Sequence, residues 1–112
     1  MTSIFPQGLS RVAEYFKVLS EVSRLQILCA LKEKALNVTE IMAATQMGQA
    51  NVSKHLKILT QAGIVSRHPQ GVSVYYRISN PAIFDICEVV CDQILMQHHE
   101  QSQHLGQLPF RS

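Results

Sequence analysis

A chain of 112 residues is long enough for one globular domain and too short for two, so a second function would have to share the same core or an oligomer interface. With 46% hydrophobic and 16% charged residues and no apolar run of membrane-spanning length, the composition excludes a transmembrane protein and predicts a globular one. The formal net charge of +2 is too small to identify a partner by itself.

The start of the chain and its cysteines bear on its compartment. Residues 1–8 lack the basic region and apolar stretch of a secretory signal, so we expect a cytoplasmic protein. The three cysteines are odd in number and widely spaced, which does not fit a structural disulfide framework. In reducing surroundings they are expected to be thiols.

The distribution of charge is more informative than its sum. All eight carboxylates lie at or before Glu40, or at or after Asp85. Residues 41–84 contain only basic charged residues, which are Lys54, Lys57, Arg67 and Arg77. A basic, acid-free middle is what contact with phosphates requires, and chance segregation in a nearly neutral chain is the alternative.

Apolar residues at helical spacing predict two helices in the first third of the chain. The segment Leu9–Leu19 is a short amphipathic helix. Ser20 is the predicted cap of the next helix, Glu21–Lys34, which is so apolar that it must be covered on most sides. This second helix is the predicted core helix.

Two further helices are predicted to be joined by a tight turn. Thr39 is the predicted N-cap of the first, which contains Ile41 and is ended by Met47-Gly48, glycine being the residue that best tolerates a left-handed turn. The second runs from about Gln49 to Gln61 and is stopped by Ala62-Gly63. Its inward positions, spaced by three or four residues, are Val52, Leu56 and Leu59. Such a pair of helices is a helix-turn-helix unit.

The apolar period then changes from helical to alternating. Alternate residues from Val72 to Ile78 are apolar or aromatic, which predicts a strand. The segment Ile64–Arg67 is its predicted antiparallel partner, with residues 68–71 as the turn. The pair is predicted to form a β-wing.

A last long helix is predicted to begin at Asn80-Pro81. Its predicted apolar stripe consists of Ile83, Ile86, Cys87, Val90, Ile94 and Leu95. The expected fold is therefore mainly α with a small β-hairpin, in the order helix, helix, helix, helix, strand, strand, helix. We expect a single winged helix-turn-helix domain over residues 1–112, with an ordered core at about 9–95 and a flexible tail at 100–112.

This order of elements resembles the ArsR family of winged-helix repressors over about Leu9–Leu95. The segments that carry the resemblance are residues 23–28 in the core helix (SRLQIL), residues 49–59 in the second helix of the unit (QANVSKHLKIL), and residues 62–65 and 74–78 around the wing (AGIV and VYYRI). The resemblance implies a dimeric repressor that leaves an operator in double-stranded DNA when an inducer binds.

The residues themselves support DNA recognition by the second helix of the unit. Its positions that are not needed for packing are nearly all able to form hydrogen bonds, and they are Gln49, Ala50, Asn51, Ser53, Lys54, His55 and Lys57. Gln49 and Asn51 are expected to read adenine edges in the major groove, and Ser53 and Lys54 to contact bases or phosphates. For His55 the alternatives are a DNA contact or stacking on the helix, and for the whole face the alternative is a solvated surface.

The wing and the outer helices complete the predicted mode of binding. Arg67 and Gln70 flank the wing tip, where they are expected to reach the minor groove, with solvation as the alternative. Two recognition helices about 34 Å apart would match one turn of DNA, so we expect a homodimer on a pseudo-palindromic operator. The first and last helices, with apolar faces that the helix-turn-helix unit does not use, are the predicted interface.

The three cysteines are the candidate effector site. Cys29 lies in the core helix, and Cys87 and Cys91 lie one turn apart on the last helix. Residues four apart on a helix have Cβ atoms about 5–6 Å apart, too far for a disulfide, so a bridge would join Cys29 to Cys87 or Cys91. Cysteine is also among the most buried residue types, and a purely structural role is the alternative.

Resemblance within the family adds one hypothesis about the inducer. In its core-helix cysteine, Cys29, the chain is similar to the sulfide- and persulfide-responsive branch, which implies a thiol-reactive inducer. The second sensing position of that branch falls on Leu95 here, and Cys91 lies one turn earlier.

Other ligands and another class of protein are the remaining alternatives. Arsenite or a similar thiophilic ion could bind the same cysteines, although the family's familiar arsenic-site cysteines are absent and Asn37 and Thr39 occupy their neighbourhood. Zinc or nickel would need side chains such as Asp85, His98, His99 and His104, and no metal site or cofactor is predicted. No phosphate loop, nucleophile with a base or carboxylate pair indicates an enzyme, and the remaining class is a winged-helix interaction module without DNA.

Overall fold

The computed structural model of the protein describes residues 6–98. In chain order, the elements are α1 (Pro6–Leu19), α2 (Val22–Ala30), β1 (Leu36–Asn37), α3 (Val38–Thr45), α4 (Gln49–Gln61), β2 (Val65–Gln70), β3 (Ser73–Ile78) and α5 (Ala82–Gln97). The chain divides after Ser79 into two compact units. The predicted fold class is confirmed, and β1 is an additional strand that was not predicted.

The core of the first unit lies where α2 packs against α3 and α4. Ile27 and Leu28 of α2, Ile41 of α3, and Leu56 and Leu59 of α4 are at most 1% exposed. Burial of each such side chain stabilises the fold by about 1.5–3 kcal/mol relative to leaving it in water. The inward face of α4 is therefore fixed by the core.

Both predicted ends of α2 were wrong. Glu21 rather than Ser20 is the N-cap, and its carboxylate accepts a hydrogen bond from the Ser23 N–H at 3.5 Å. The Ser20 hydroxyl instead donates to the Lys17 carbonyl at 2.7 Å. The helix ends at Ala30, well before the predicted end, because the chain must straighten to pair Leu36 with β3, and this tertiary pairing overrides local helix propensity.

The N-terminus of α3 is capped by Asn37 and not by the predicted Thr39. The Asn37 Oδ1 atom accepts from the Glu40 N–H, and the Glu40 Oε1 atom accepts from the Asn37 N–H, both at 2.9 Å. This reciprocal pair is a capping box. Asn37 also belongs to β1, so one residue ends the strand and starts the helix.

The turn between α3 and α4 places its left-handed residue at Gln46 instead of the expected Gly48. Gln46 has φ 61°, and its N–H donates to the Met42 carbonyl at 2.8 Å. Gly48 has an extended backbone and is the N-cap of α4. A non-glycine residue with positive φ carries strain, which the surrounding helices hold in place.

Both predicted ends of α4, Gln49 and Gln61, are confirmed. The helix ends in a Schellman motif, in which the Gly63 N–H donates to the Thr60 carbonyl and the Ile64 N–H donates to the Leu59 carbonyl. The motif needs a left-handed residue, and Gly63 supplies it with φ 77°. The chain thereby turns directly from α4 into the wing.

The wing is part of a three-stranded antiparallel sheet in the order β1-β3-β2. The second strand, β2, continues to Gln70, and the turn consists of Gly71 and Val72 instead of the predicted residues 68–71. The φ of Gly71 is 60°, as a type II′ turn requires at its first central position. The hairpin is therefore longer and tighter than predicted.

In the second unit, α5 has a buried face that differs from the predicted stripe. Ile83, Cys87 and Cys91 recur every four residues and are 8% exposed or less. Ile86 and Val90 were predicted to belong to the stripe and are exposed. The predicted flexible tail lies outside the described residues. Over residues 6–98, no helix has the length and apolarity needed to cross a membrane.

Substitutions at Gln46 test the left-handed turn. We expect Gln46→Val to lower the free energy of unfolding by about 1–2 kcal/mol, because a β-branched residue tolerates positive φ poorly. Gln46→Gly should not destabilise the protein, because glycine adopts this conformation readily. The measurement is urea denaturation, with Gln61→Val as a control at an exposed position of ordinary backbone conformation. Equal effects of valine at both positions would contradict the assignment of strain to Gln46.

Candidate nucleic-acid interface

The outward face of α4 presents the predicted contact residues to solvent. Val52, Leu56 and Leu59 are buried on the opposite face. Because these three positions turn one side of the helix toward the core, the positions on the opposite side point to solvent. The predicted residues that are exposed are Gln49, Ala50, Asn51, Ser53, Lys54 and Lys57.

His55 does not belong to this face, and its predicted DNA contact is corrected. Its side chain is only 4% exposed, and its Nδ1 atom lies 3.2 Å from Nη1 of Arg24. Burial, followed by the charges of Arg24 and Lys54, lowers the pKa of His55 from its ordinary value, and Glu21 opposes this shift. A neutral, enclosed imidazole is a packing group and not a groove contact.

The start of α4 is suited to an approaching anion. Its N-cap, Gly48, makes no side-chain hydrogen bond to the first turn. The first N–H groups of a helix have no partner within it and carry partial positive charge. Lys54 and Lys57 lie on the same helix, and the chain has no carboxylate between residues 41 and 84. The helix therefore presents hydrogen-bonding groups and positive charge without a competing acid.

The wing separates its two predicted contact residues. Arg67 and Gln70 are both exposed on β2. They are three residues apart, so they lie on opposite faces of the strand, with Gln70 next to the turn. Val72 is fully exposed in the turn itself. Arg67 and Gln70 thus do not form one contact surface.

The cysteines occupy two different settings, and all three are thiols. Cys29 of α2 is half-buried, and burial raises the pKa of its thiol from the ordinary value, with Lys32 opposing the shift. Cys87 and Cys91 are buried one turn apart on the same face of α5. A raised pKa leaves less thiolate at neutral pH, which slows reaction with electrophiles.

No group of three or more histidine, cysteine, aspartate or glutamate side chains between residues 6 and 98 is arranged to hold a metal ion. Of the side chains considered for zinc or nickel, Asp85 and His98 are exposed, and His99 and His104 lie outside the described residues.

Comparison with known proteins decides the family. Residues 21–67 match the family model described as bacterial regulatory protein, arsR family. The chain is 37% identical over 79 residues to the transcriptional repressor PagR of Bacillus anthracis, and the match covers 70% of this chain and 79% of PagR. The chain belongs to the ArsR family. This membership confirms the predicted class of regulator and excludes the enzyme alternative.

A further relative and a solved structure are also similar to this ArsR protein. It is 38% identical over 79 residues to the cadmium resistance transcriptional regulatory protein CadC of Listeria innocua, a match that covers 70% of this chain and 66% of CadC. It shares 32% identity and a TM-score of 0.73 with the homodimeric winged helix-turn-helix DNA-binding domain of Mb0332 from Mycobacterium bovis. That match covers 88% of this chain and 97% of the solved domain.

Sequence reasoning missed one residue beside the interface. Arg24 was singled out only as part of the family-like segment of α2, yet it contacts His55 of α4. The available signal was a single arginine inside a strongly apolar helix, since a long cation there needs partners.

Proposed function

We propose that this ArsR-family protein is a DNA-binding repressor whose homodimer inserts two copies of α4 into successive major grooves of a pseudo-palindromic operator. The observation that carries the proposal is the exposed, polar and acid-free face of α4, which lies opposite a fully buried apolar face. A helix held in this way can lie along a groove without disturbing the core.

The exposed residues have different proposed roles. Gln49 and Asn51, near the N-terminal end of α4, bond adenine edges, since an amide pairs with the N6 and N7 atoms of that base. Ser53 and Lys54 contact bases or phosphates, and Lys57 contacts a phosphate. Ala50 allows close approach of the backbone.

Arg67 and Gln70 of the wing are proposed to contact the neighbouring minor groove. Because they lie on opposite faces of β2, we assign Gln70, beside the turn, to the groove and Arg67 to its phosphate wall.

Exposed apolar residues support the proposed homodimer. On α1, Leu9, Val12 and Phe16 are 42–57% exposed, and Val89 and Met96 on α5 are 66% and 76% exposed. Apolar residues at helical spacing that remain in solvent are suited to an interface, which we assign to both helices. The homodimeric Mb0332 domain supports this assembly. The whole chain is proposed to act as one domain in the bacterial cytoplasm, where its DNA target is found.

The DNA proposal predicts the effect of two substitutions on α4. We expect Asn51→Ala with Lys54→Ala to weaken binding at least about 100-fold, because each removes a contact made by both subunits. The probe is a duplex of about 30 base pairs selected by the unmodified protein from a random pool. Binding is measured by gel shift, and dimer mass and melting temperature should be unchanged.

Lys34→Ala is the matched control, since it removes the same charge from an exposed position outside α4. It should leave the affinity within about threefold of the unmodified protein. Unchanged binding by the double variant would exclude α4 as the recognition helix. Failure of the protein to select any duplex would favour an interaction module without DNA.

We further propose that the cysteines receive the inducer, and that it is thiol-reactive, as an oxidant or a persulfide formed by oxidation of sulfide would be. The support is the family resemblance at Cys29 together with two more thiols, Cys87 and Cys91, on one face of α5. Modification of a buried thiol adds atoms to a close-packed site, which displaces its helix. Displacement of α5, a proposed dimer helix, would alter the spacing of the two recognition helices.

Arsenite or another soft metal ion is the second candidate. Cys87 and Cys91 lie one turn apart on a single helix face and could supply two thiolates, the ligands that such ions prefer. The cadmium-resistance role in the name of the relative CadC supports this class of ligand.

Cysteine variants separate these inducers. If a thiol-reactive compound is the inducer, polysulfide should weaken DNA binding about 5- to 150-fold, and Cys29→Ser or Cys91→Ser should remove the response. The response should accelerate as pH rises, because the raised pKa of Cys29 limits its thiolate at neutral pH. If arsenite is the inducer, Cys87→Ser and Cys91→Ser should remove the response while Cys29→Ser keeps it. Equal affinity in every condition would leave all three cysteines with a packing role only.

A further inference from the structure

Arg24 joins three helices through one guanidinium group. Its Nε atom donates to the Val18 carbonyl at 2.6 Å, and its Nη2 atom donates to the Lys17 carbonyl at 3.4 Å. Its Nη1 atom lies 3.2 Å from Nδ1 of His55. The residue belongs to α2, the two carbonyls to the last turn of α1, and His55 to the middle of α4. One side chain therefore connects the end of α1 to the recognition helix.

The chemistry of this contact fixes the protonation state and the tautomer of His55. Arginine remains protonated and can only donate, so Nδ1 of His55 must be the acceptor and its proton must reside on Nε2. The charged groups that face His55 are Arg24 and Glu21 from the start of α2 and Lys54 on α4. Two of these three are cations, which favours the neutral imidazole that the hydrogen bond requires.

The position of His55 on α4 gives the contact its consequence. Asn51 lies one turn earlier on the helix, and Lys54 is the preceding residue. Val52, Leu56 and Leu59 hold the inner face by hydrophobic contact, which has no preferred direction and tolerates small rotations of the helix. A hydrogen bond to a planar guanidinium is directional, so it can define the angle at which Asn51 and Lys54 are presented.

We propose that Arg24 is a positioning residue for DNA recognition, which sets the rotation of α4 by bonding His55 to the carboxyl end of α1. The inference rests on the proposed function, in which α4 reads DNA and α1 forms part of the dimer interface. Arg24 would then connect the dimer interface to the DNA-reading surface within each subunit. It also gives a role to the arginine of the family-like segment at residues 23–28.

A dependence on pH follows from the same geometry. A proton on Nδ1 removes the acceptor and places two cations next to each other. Because the pKa of His55 is lowered in the folded protein, the unfolded chain binds this proton first as pH falls. The contribution to stability is therefore complete above about pH 6.5, the ordinary pKa of histidine, and is lost as pH falls through the lower folded value.

The first experiment needs no DNA. In an NMR titration from about pH 8 downward, continued until the His55 ring is protonated, the backbone carbonyl resonances of Lys17 and Val18 should shift together with that protonation. His55→Asn should abolish these shifts, because its Oδ1 atom can accept from Arg24 at the same place and does not titrate. If His55 becomes protonated and the Lys17 and Val18 resonances of the unmodified protein do not move, Arg24 does not connect His55 to the end of α1.

The second experiment measures recognition at about pH 7.5, where His55 is neutral. Affinity is compared for the duplex selected by the unmodified protein and for a duplex of mixed sequence. Arg24→Met and His55→Leu should weaken binding to the selected duplex about tenfold or more and to the mixed duplex less than about threefold. Arg24→Lys should weaken binding as much as Arg24→Met does. Lysine keeps the positive charge, but it cannot donate to three acceptors in one plane.

Rescue and coupling distinguish positioning from general stability. His55→Asn should keep affinity for the selected duplex within about threefold of the unmodified protein, as should the charge control Lys34→Met. The double variant of Arg24→Met and His55→Leu should bind the selected duplex with the same affinity as the single variant that binds it less tightly. Both substitutions remove the same hydrogen bond, so their effects should not add. Additive losses, parallel losses on both duplexes or no loss would each overturn the inference. If the unmodified protein selects no duplex, the proposed function fails and the positioning role with it.

Discussion

Burial of one face of α4 against α2 and α3 is the constraint on which the rest of the structure depends. Val52, Leu56 and Leu59 are at most 1% exposed, and they supply the apolar inward positions of a helix only thirteen residues long. With these side chains turned inward, the polar residues on the opposite side of α4 lie at the surface. The same apolar contacts that stabilise the fold therefore create the face that we assign to DNA.

The turns at the two ends of α4 fix the position of this face relative to α3 and the wing. Before the helix, Gln46 adopts a left-handed conformation that brings α3 and α4 close together in a tight turn. After it, Gly63 closes a Schellman motif that directs the chain into β2. On its buried side, His55 contacts Arg24 of α2. A helix with fixed ends and a fixed inner face can present side chains at a defined angle.

The elements with a strong local pattern were predictable from the sequence, and those that depend on tertiary contacts were not. The bounds of α4 followed from its apolar spacing and from glycine at each end. The end of α2 did not, because the pairing of Leu36 with β3 interrupts a segment that has good helix propensity. The two residues of β1 are too few to show an alternating pattern.

The same limit applies to the site. The exposed positions of α4 followed from periodicity alone, but His55 was assigned to the wrong face. Three residues after Val52 and four before Leu59, it lies on the buried side of the helix, where it contacts Arg24 from 31 residues earlier in the chain. A histidine next to a lysine on a basic helix looks like a phosphate contact until its distant partner is known. The cysteines also needed the structure, since their burial affects their reactivity more than their spacing does.

A crystal structure of the protein bound to its selected duplex would test the central claim most directly. We predict that Asn51 and Lys54 of each subunit lie at the major groove, that the two copies of α4 are about 34 Å apart, and that His55 remains bonded to Arg24. A complex in which α4 faces away from the duplex, or in which His55 turns outward to contact it, would contradict the claim.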